Sequence, residues 1–80
     1  MAIQSKFIPQ NEWTELTDKS CTFQNRSNGD ILMATGTAEP TNTNDAFAVQ
    51  PKQNASYASE DDKLYIYRTF DGTCLVAYQE

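Results

Sequence analysis

Two stretches of this 80-residue chain alternate between apolar and polar side chains around a dipeptide that ends in glycine, and they restrict it to a β fold. The clearer one, residues 63–79 (KLYIYRTFDGTCLVAYQ), divides at Asp71-Gly72 into two runs rich in β-branched and aromatic residues. Asp-Gly supplies the positive φ angles of a two-residue type I′ turn, whose twist matches that of the flanking strands. The stretch therefore predicts a β-hairpin.

The two faces of this closing hairpin are both largely apolar. One face would carry Tyr65, Tyr67, Thr69, Cys74, Val76 and Tyr78. The other would carry Leu64, Ile66, Arg68, Phe70, Leu75 and Ala77. Because neither face is polar enough to be solvated, one should meet the core and the other a second layer or another subunit. We expect the face with Cys74 to meet the core and the face with Leu75 to be the contact surface.

A second hairpin is predicted for residues 19–35 (KSCTFQNRSNGDILMAT), because Asn28-Gly29 is the strongest short hairpin dipeptide. By composition, its better core face would hold Cys21, Phe23, Asn25, Leu32 and Ala34. The pattern leaves open whether Cys21 approaches Cys74 closely enough for a disulfide, since that depends on strand order.

The remaining segments predict short strands and polar loops. Residues 46–50 form a strand that stops at Pro51, and residues 55–58 form a weak edge strand. The polar residues 36–45 are either a plain crossover or a contact loop. The fold class that follows is all-β: a small antiparallel β-sandwich or barrel built from two hairpins. Residues 1–12 would be an extended arm, either an edge strand or a segment that docks on a neighbouring subunit, and residues 13–80 a single β domain.

Charge and hydropathy exclude several classes of partner. The net charge of −5, with only six Lys and Arg residues, argues against binding to nucleic acid. No apolar run approaches the roughly 20 residues that span a membrane. No secretory signal follows Met1, so we expect synthesis in a reducing cytoplasm, which keeps cysteines as thiols.

The residue types that perform most protein chemistry are missing or scattered. The chain has no His, which removes the commonest general base and most zinc sites. We therefore expect no enzyme, no catalytic residue and no cofactor. Calcium is the only metal that the sequence suggests. Its site would require Asp30, Glu39, Asp45 and the acidic residues 60–62 to converge from their loops.

Six residues are candidates for an interface with another protein, because they are apolar, aromatic or charged where a solvated side chain is not expected. Arg68 lies between Ile66 and Phe70. Its guanidinium would either remain solvated at an edge strand or pair with a carboxylate or carbonyl across a subunit interface. The full set is Phe7, Ile8, Trp13, Ile66, Arg68 and Leu75.

In order, the motifs WTEL, SCTFQNRSNGDILMATG, AFAVQP and KLYIYRTFDGTCLVAYQE resemble those of small tailed-bacteriophage virion proteins. The residues that carry the first half of this resemblance are Phe23, Asn25, Ser27, Ile31, Met33, Gly36 and Pro40. Those that carry the closing half are Leu64, Tyr65, Arg68, Gly72 and Val76. Such proteins are β-sandwich modules that decorate or cement capsids, or that form parts of head fibres and tails, and they are often trimers.

The resemblance implies a non-enzymatic virion structural protein, made in the host cytoplasm. As a capsid decoration or cement subunit it would bind copies of itself, most simply as a trimer, and the major capsid protein or another virion protein. One alternative is a tail or head-fibre module that uses Trp13 and the polar loop to bind a host receptor or glycan. Another is an intracellular acidic inhibitor of a host protein.

Overall fold

The structure, a computed structural model, describes residues 3–41, 43, 46–60 and 62–80, and these form β-strands without any helix. In consequence, no described helix is available to cross a membrane. The eight strands are β1 (Gln4–Phe7), β2 (Thr14–Thr17), β3 (Cys21–Asn25), β4 (Ile31–Gly36), β5 (Phe47–Val49), β6 (Asn54–Tyr57), β7 (Lys63–Tyr67) and β8 (Leu75–Gln79).

The strands form two four-stranded antiparallel sheets. Sheet A has the order β1-β8-β3-β6, and sheet B has the order β2-β7-β4-β5. The chain is thus folded in half at the β4–β5 connection, so that the first strand pairs with the last, the second with the seventh, and so on inward. This is the strand order of a jelly roll, a β-sandwich made of two Greek keys. The predicted all-β sandwich is confirmed.

The two predicted hairpins do not form, and this is the main correction to the sequence analysis. β3 and β4 lie in opposite sheets, as do β7 and β8. A type I′ turn needs a positive φ at both central residues. Of these four residues only Gly72 has one, at 99°, whereas Asp71, Asn28 and Gly29 do not. Both glycine dipeptides therefore lie in arches that carry the chain from one sheet to the other.

The sheet assignment also corrects the predicted faces. Strands in opposite sheets each turn their own inner side toward the shared core, so β7 and β8 need not follow hairpin register. Leu64 and Ile66 of β7 are fully buried in the core, and Tyr65 and Tyr67 lie on the outer face of sheet B. On β8 the prediction was right, since Val76 points inward and Leu75 outward. On β4, Ile31 and Met33 rather than Leu32 and Ala34 contact the core.

One cluster fills the space between the sheets. Its fully buried apolar side chains come from both sheets and from the chain before β2 and β8: Ile8, Phe23, Ile31, Leu64, Ile66, Cys74 and Val76. Burial of each large aliphatic or aromatic side chain contributes roughly 1.5–3 kcal/mol of transfer free energy. Because an 80-residue domain buries a small core, its net stability is small. Its buried polar groups must therefore be hydrogen-bonded for the fold to be stable.

The N-terminal segment is part of the fold. β1 pairs with β8 at one edge of sheet A, which is the edge-strand alternative for residues 4–7. Lys6 turns toward sheet B, and its Nζ donates to the Glu15 carbonyl at 2.6 Å. The short strands predicted for residues 46–50 and around 55–58 are present as β5 and β6, the other two edge strands besides β1 and β2.

The connections alternate between two ends of the sandwich. The arch end contains residues 8–13, 26–30, 50–53 and 68–74, joined by backbone hydrogen bonds such as Ile8 N to Cys74 O at 2.9 Å and Lys52 N to Asn25 O at 2.7 Å. The terminal end contains residues 18–20, 37–41, 58–60 and 80. There Ser59 Oγ donates to the Asp18 carbonyl, and Thr17 bonds to Glu80.

Candidate interaction surface

The six residues predicted as an interface do not lie on one surface. Ile8 and Ile66 are fully buried in the core, and Arg68 is 4% exposed, so none of the three is available to a partner. Phe7 and Leu75 are exposed, and Trp13 is half-buried on the opposite sheet. Only Phe7 and Leu75 therefore remain together as candidate contact residues.

Phe7 and Leu75 form the centre of an exposed apolar surface. They are directly opposite each other in the β1–β8 ladder, at 55% and 39% exposure. Ile3, one residue before β1, has the same outward phase in the alternation and is 70% exposed. We call these three residues the sheet A apolar surface. It follows from β1 being an edge strand whose odd-numbered side chains point away from the core.

Among the described residues, the rest of this outer face is small or polar and carries no acidic side chain. Ser5 lies opposite Ala77, and Thr22 and Gln24 follow on β3. A shallow depression of about 190 Å³ lies here between Ile3, Gln24, Ala77 and their neighbours. The surface is open and nearly flat, which suits contact with another protein surface more than enclosure of a small molecule.

Arg68 is a structural residue of the arch end. Its Nε donates to the Ile8 carbonyl at 2.7 Å, and its Nη1 donates to the carbonyls of Phe70 (2.8 Å) and Gly72 (2.6 Å). The guanidinium carbon also lies 5.6 Å and 5.3 Å from the ring centres of Phe7 and Phe70. No ion pair to a carboxylate is found for it among the described residues. Arg68 therefore fixes the β7–β8 arch onto the chain that follows β1.

Asn25 has the same role in the β3–β4 arch. Its Nδ2 donates to the carbonyls of Gly29 (2.8 Å) and Val49 (2.9 Å), and its Oδ1 accepts from the Ser27 N–H at 3.0 Å. The Ser27 hydroxyl donates within this group to Asn25 Oδ1 or to the Gly29 carbonyl. Asn25 is fully buried, so each of these bonds replaces water that the fold excludes.

The two arches pack on each other. A Cβ added to Gly29 would lie 2.6 Å from Cδ1 of Phe70, so the glycine backbone rests directly on that ring. Cys74 lies close to both Ser27 and Arg68. Burial raises the pKa of the Cys74 thiol, although the Ser27 hydrogen bond and the Arg68 charge oppose this. The raised pKa disfavours the thiolate, so Cys74 is poorly suited to nucleophilic chemistry.

The disulfide left open by the sequence does not form, and both cysteines are free thiols. On β3, Cys21 lies at the end near Glu80, whereas Cys74 precedes β8 beside Ser27, at the opposite end of sheet A. The length of a strand separates them, well beyond the roughly 7 Å limit between Cα atoms for a bridge. Burial, followed by the nearby Glu80 carboxylate, raises the pKa of Cys21.

Sheet B presents aromatic residues on its outer face, a feature that the hairpin prediction placed in the core. Trp13 packs against Tyr67 with ring centres 5.1 Å apart and an interplanar angle of 45°. Tyr65 lies beside Glu15 and Ala34 in the ladder and is buried by its neighbours. Glu15 and Lys63 form an exposed ion pair at 3.5 Å.

A groove of about 350 Å³ lies at the β5 edge of sheet B. Met33, Pro40 and Phe47 line it together with small residues of the β4–β5 connection. Phe47, in the strand predicted for residues 46–50, is 73% exposed, whereas Val49 of the same strand is buried. Phe47 is the first residue of the three-residue edge strand β5 and forms part of the wall of this groove.

The exposure of Ile3 was also missed, although the alternation Ile3, Ser5, Phe7 was a signal that could have revealed it.

Among the described residues, no three His, Cys, Asp or Glu side chains lie close enough together to bind a metal ion. Two of the acidic residues suggested as calcium ligands, Asp45 and Asp61, lie outside the described residues. At the terminal end, hydrogen bonds from Tyr57 and the Glu60 N–H lower the pKa of Asp62.

Comparison of this chain with family models, with curated proteins and with solved structures finds no match to any of them.

Proposed function

We propose that this protein is a non-enzymatic structural subunit of a bacteriophage virion that decorates or cements the capsid through the sheet A apolar surface. The observation that carries the proposal is that Phe7 and Leu75 are register partners and remain exposed on an otherwise well-packed sandwich. Small soluble domains seldom leave large apolar side chains grouped together unless a partner covers them.

The architecture supports this class by analogy. Jelly rolls recur in viral capsid and lectin domains, although a fold alone does not determine a function. The buried polar groups of the arch end are satisfied within the domain, so they contribute stability rather than a ligand site. Binding to a shell would further stabilise the folded subunit, since only the folded state presents the surface.

The test is co-purification with particles of the phage whose genome encodes the chain. Mass spectrometry of gradient-purified particles would give the copy number relative to the major capsid protein. We expect Leu75→Glu to reduce the bound copies at least ten-fold while the urea unfolding midpoint stays close to that of the wild type, because Leu75 is partly exposed.

Ser56→Glu is the matched control, since Ser56 is exposed on β6 of the same sheet but remote from the β1 edge. It should bind like the wild type. Particles that lack the protein, or equal release of both variants, would contradict the proposal.

A second candidate function is recognition of a host glycan or receptor, favoured by the Trp13–Tyr67 pair on the outer face of sheet B. Half-exposed aromatic rings are suitable platforms for an apolar sugar face. Trp13 is the only tryptophan, so its fluorescence reports directly on this position.

A glycan array followed by fluorescence titration would test this candidate. A signal that is lost in Tyr67→Ala and retained in Leu75→Glu would favour glycan recognition over capsid attachment, whereas the reverse pattern would favour capsid attachment.

A further inference from the structure

We propose that two copies of this chain associate through β1, antiparallel across a two-fold axis at Ser5, so that sheet A continues from one copy into the next. The inference rests on the proposed function in one respect: it identifies the self-contact that a decorating subunit would use. It can be tested on the isolated protein, without particles.

The phase of the β1–β8 hydrogen bonds shows which backbone groups β1 leaves free. Ile8, one step beyond the Phe7–Leu75 pair, donates its N–H to the Cys74 carbonyl at 2.9 Å. Opposed residues in an antiparallel ladder alternate between bonded and non-bonded pairs. The bonded partners of β8 are therefore Ile8, Lys6 and Gln4, and the N–H and C=O groups of Ser5 and Phe7 point to the open edge.

The other side of β8 agrees with this phase. The Arg26 N–H donates to the Leu75 carbonyl at 3.0 Å, so the odd-numbered residues of β8 direct their backbone toward β3. Its even-numbered residues are consequently the ones that bond to β1. The free edge of β1 is thus defined from two independent contacts.

A second β1 matches this edge in one register especially well. With Ser5 opposite Ser5 of the second copy, Ile3 lies opposite Phe7 and Phe7 opposite Ile3. In this register all of these pairs are hydrogen-bonded pairs. The backbone N–H and C=O groups of Ile3, Ser5 and Phe7 that point to the open edge therefore all bond to the second copy. The same register brings the exposed side chains of Ile3 and Phe7 together on one face, where aromatic and β-branched residues pair favourably.

The other edges of the sandwich are less suited to such pairing. β2 carries a register irregularity between Glu15 and Thr17, and β5 has only three residues and is followed by Pro51. β6 exposes the polar side chains of Asn54 and Ser56. β1 has no bulge and no internal proline, and its lysine turns inward to Glu15, so the usual protections of an edge strand are missing.

The area involved predicts a weak pair. Two four-residue edges with their side chains bury on the order of 800 Å² in total, below the roughly 1,200 Å² of a standard stable interface. We therefore expect a Kd between about 10 µM and 1 mM. The net charge of −5 per copy opposes association, so added salt should strengthen it.

Sedimentation equilibrium over that concentration range tests the proposal. The expected result is a monomer–dimer equilibrium whose Kd falls with salt. Ser5→Pro removes an N–H that faces the open edge and leaves the β8 bonds in place, so it should weaken association at least ten-fold. Ser5→Ala keeps the N–H and is the matched control, expected to associate like the wild type.

A mixing experiment remains decisive if Ser5→Pro fails to fold. Ile3→Lys and Phe7→Glu should each weaken self-association, whereas their mixture should form a heterodimer, since the ammonium of one faces the carboxylate of the other. A strict monomer at about 1 mM, a trimer, or unchanged association of folded Ser5→Pro would overturn the inference. Particle binding by Leu75→Glu is a separate readout, so capsid attachment and β1 pairing can fail independently.

Discussion

The two ends of the sandwich hold their polar side chains in different ways. At the arch end, Arg68 and Asn25 are buried, and their polar hydrogens are directed to main-chain carbonyls of their own or neighbouring connections. At the terminal end, Asp18 and Glu60 are exposed, and the Tyr57 hydroxyl donates to Asp62 at the rim of the sandwich. The arch end is thus held by polar groups that are buried, whereas the hydrogen bonds of the terminal end include partners that solvent reaches, such as Asp62 and Glu80.

This difference indicates where the fold is vulnerable. Removing one member of a buried hydrogen-bonded group leaves its partners desolvated and unpaired, which costs more than the bond itself contributes. Removing an exposed group allows water to replace it. Substitutions of the buried polar residues at the arch end should therefore change stability strongly and at every pH, whereas substitutions of the exposed polar residues at the terminal end should have weak effects that depend on pH.

The largest effect is expected for Arg68→Leu. It leaves the carbonyls of Ile8, Phe70 and Gly72 without their donor. Because each unsatisfied buried group costs about 1–3 kcal/mol, we expect a loss of about 3–5 kcal/mol in the free energy of unfolding. Urea unfolding followed by circular dichroism measures it. Arg26→Leu is the control at the same end, because Arg26 is exposed, and should change stability by less than about 0.5 kcal/mol. Equal effects of both would contradict the role assigned to the buried hydrogen bonds of Arg68.

Asn25→Leu should be the next most damaging. It takes the amide donor from the Gly29 and Val49 carbonyls and the acceptor from the Ser27 N–H, for a loss of about 2–4 kcal/mol. The same urea experiment applies. Asn54→Leu, on the exposed edge strand β6, should be nearly neutral, and a comparable loss there would count against the role assigned to Asn25.

Gly29→Ala tests the packing between the two arches. Its Cβ would lie 2.6–2.9 Å from three atoms of the Phe70 ring, so we expect a loss of about 1–3 kcal/mol by overpacking. Gly36→Ala meets nothing closer than 3.5 Å and should cost less. In a double-mutant cycle with Phe70→Leu, the two changes should be less than additive. Strict additivity would mean that the arches do not contact each other as described.

Asp62→Asn should have the smallest effect, and one that varies with pH. The pKa of Asp62 is lowered from its ordinary 3.8, chiefly by the Tyr57 hydroxyl, so the folded state favours the carboxylate. That contribution is present above the unfolded pKa and is lost as pH falls through the folded one. Wild type and variant should therefore differ at neutral pH and converge in acid, as measured by urea midpoints.

Tyr57→Phe supplies the check on this interaction. It removes the donor of this hydrogen bond, whereas Asp62→Asn removes the charge of the acceptor, so Tyr57→Phe should reduce the acid-dependent difference, and the double variant should add little to either single change. A difference between wild type and Asp62→Asn that persists unchanged in acid would contradict the interpretation.

Individual residues illustrate how far the sequence could predict the fold. The alternation of Cys21, Phe23 and Asn25 predicted the buried face of β3, and the structure confirms it. The same reasoning placed Tyr65 and Tyr67 inward and Ile66 outward, which was wrong. The alternation itself was real, but its phase was taken from a hairpin partner that lies in the other sheet.

For the same reason, only part of the candidate surface could be predicted. Phe7 and Leu75 were both among the six predicted residues, but their pairing became visible only with the β1–β8 ladder. Arg68 was predicted to be unusual, yet whether it meets solvent, a partner or its own chain depends on where the connection 8–13 lies. Neither periodicity nor composition carries that information.

Local patterns were enough to predict the β class and most strand positions and to exclude histidine chemistry, because alternation and residue type are local properties. Strand pairing, the buried side of β7 and the use of the glycine dipeptides in arches rather than hairpins depend on contacts between distant parts of the chain. A glycine dipeptide permits a tight turn but does not require one. Joining the two strands in one sheet would have exposed an apolar face, and placing them in opposite sheets buries Leu64, Ile66 and Val76 together.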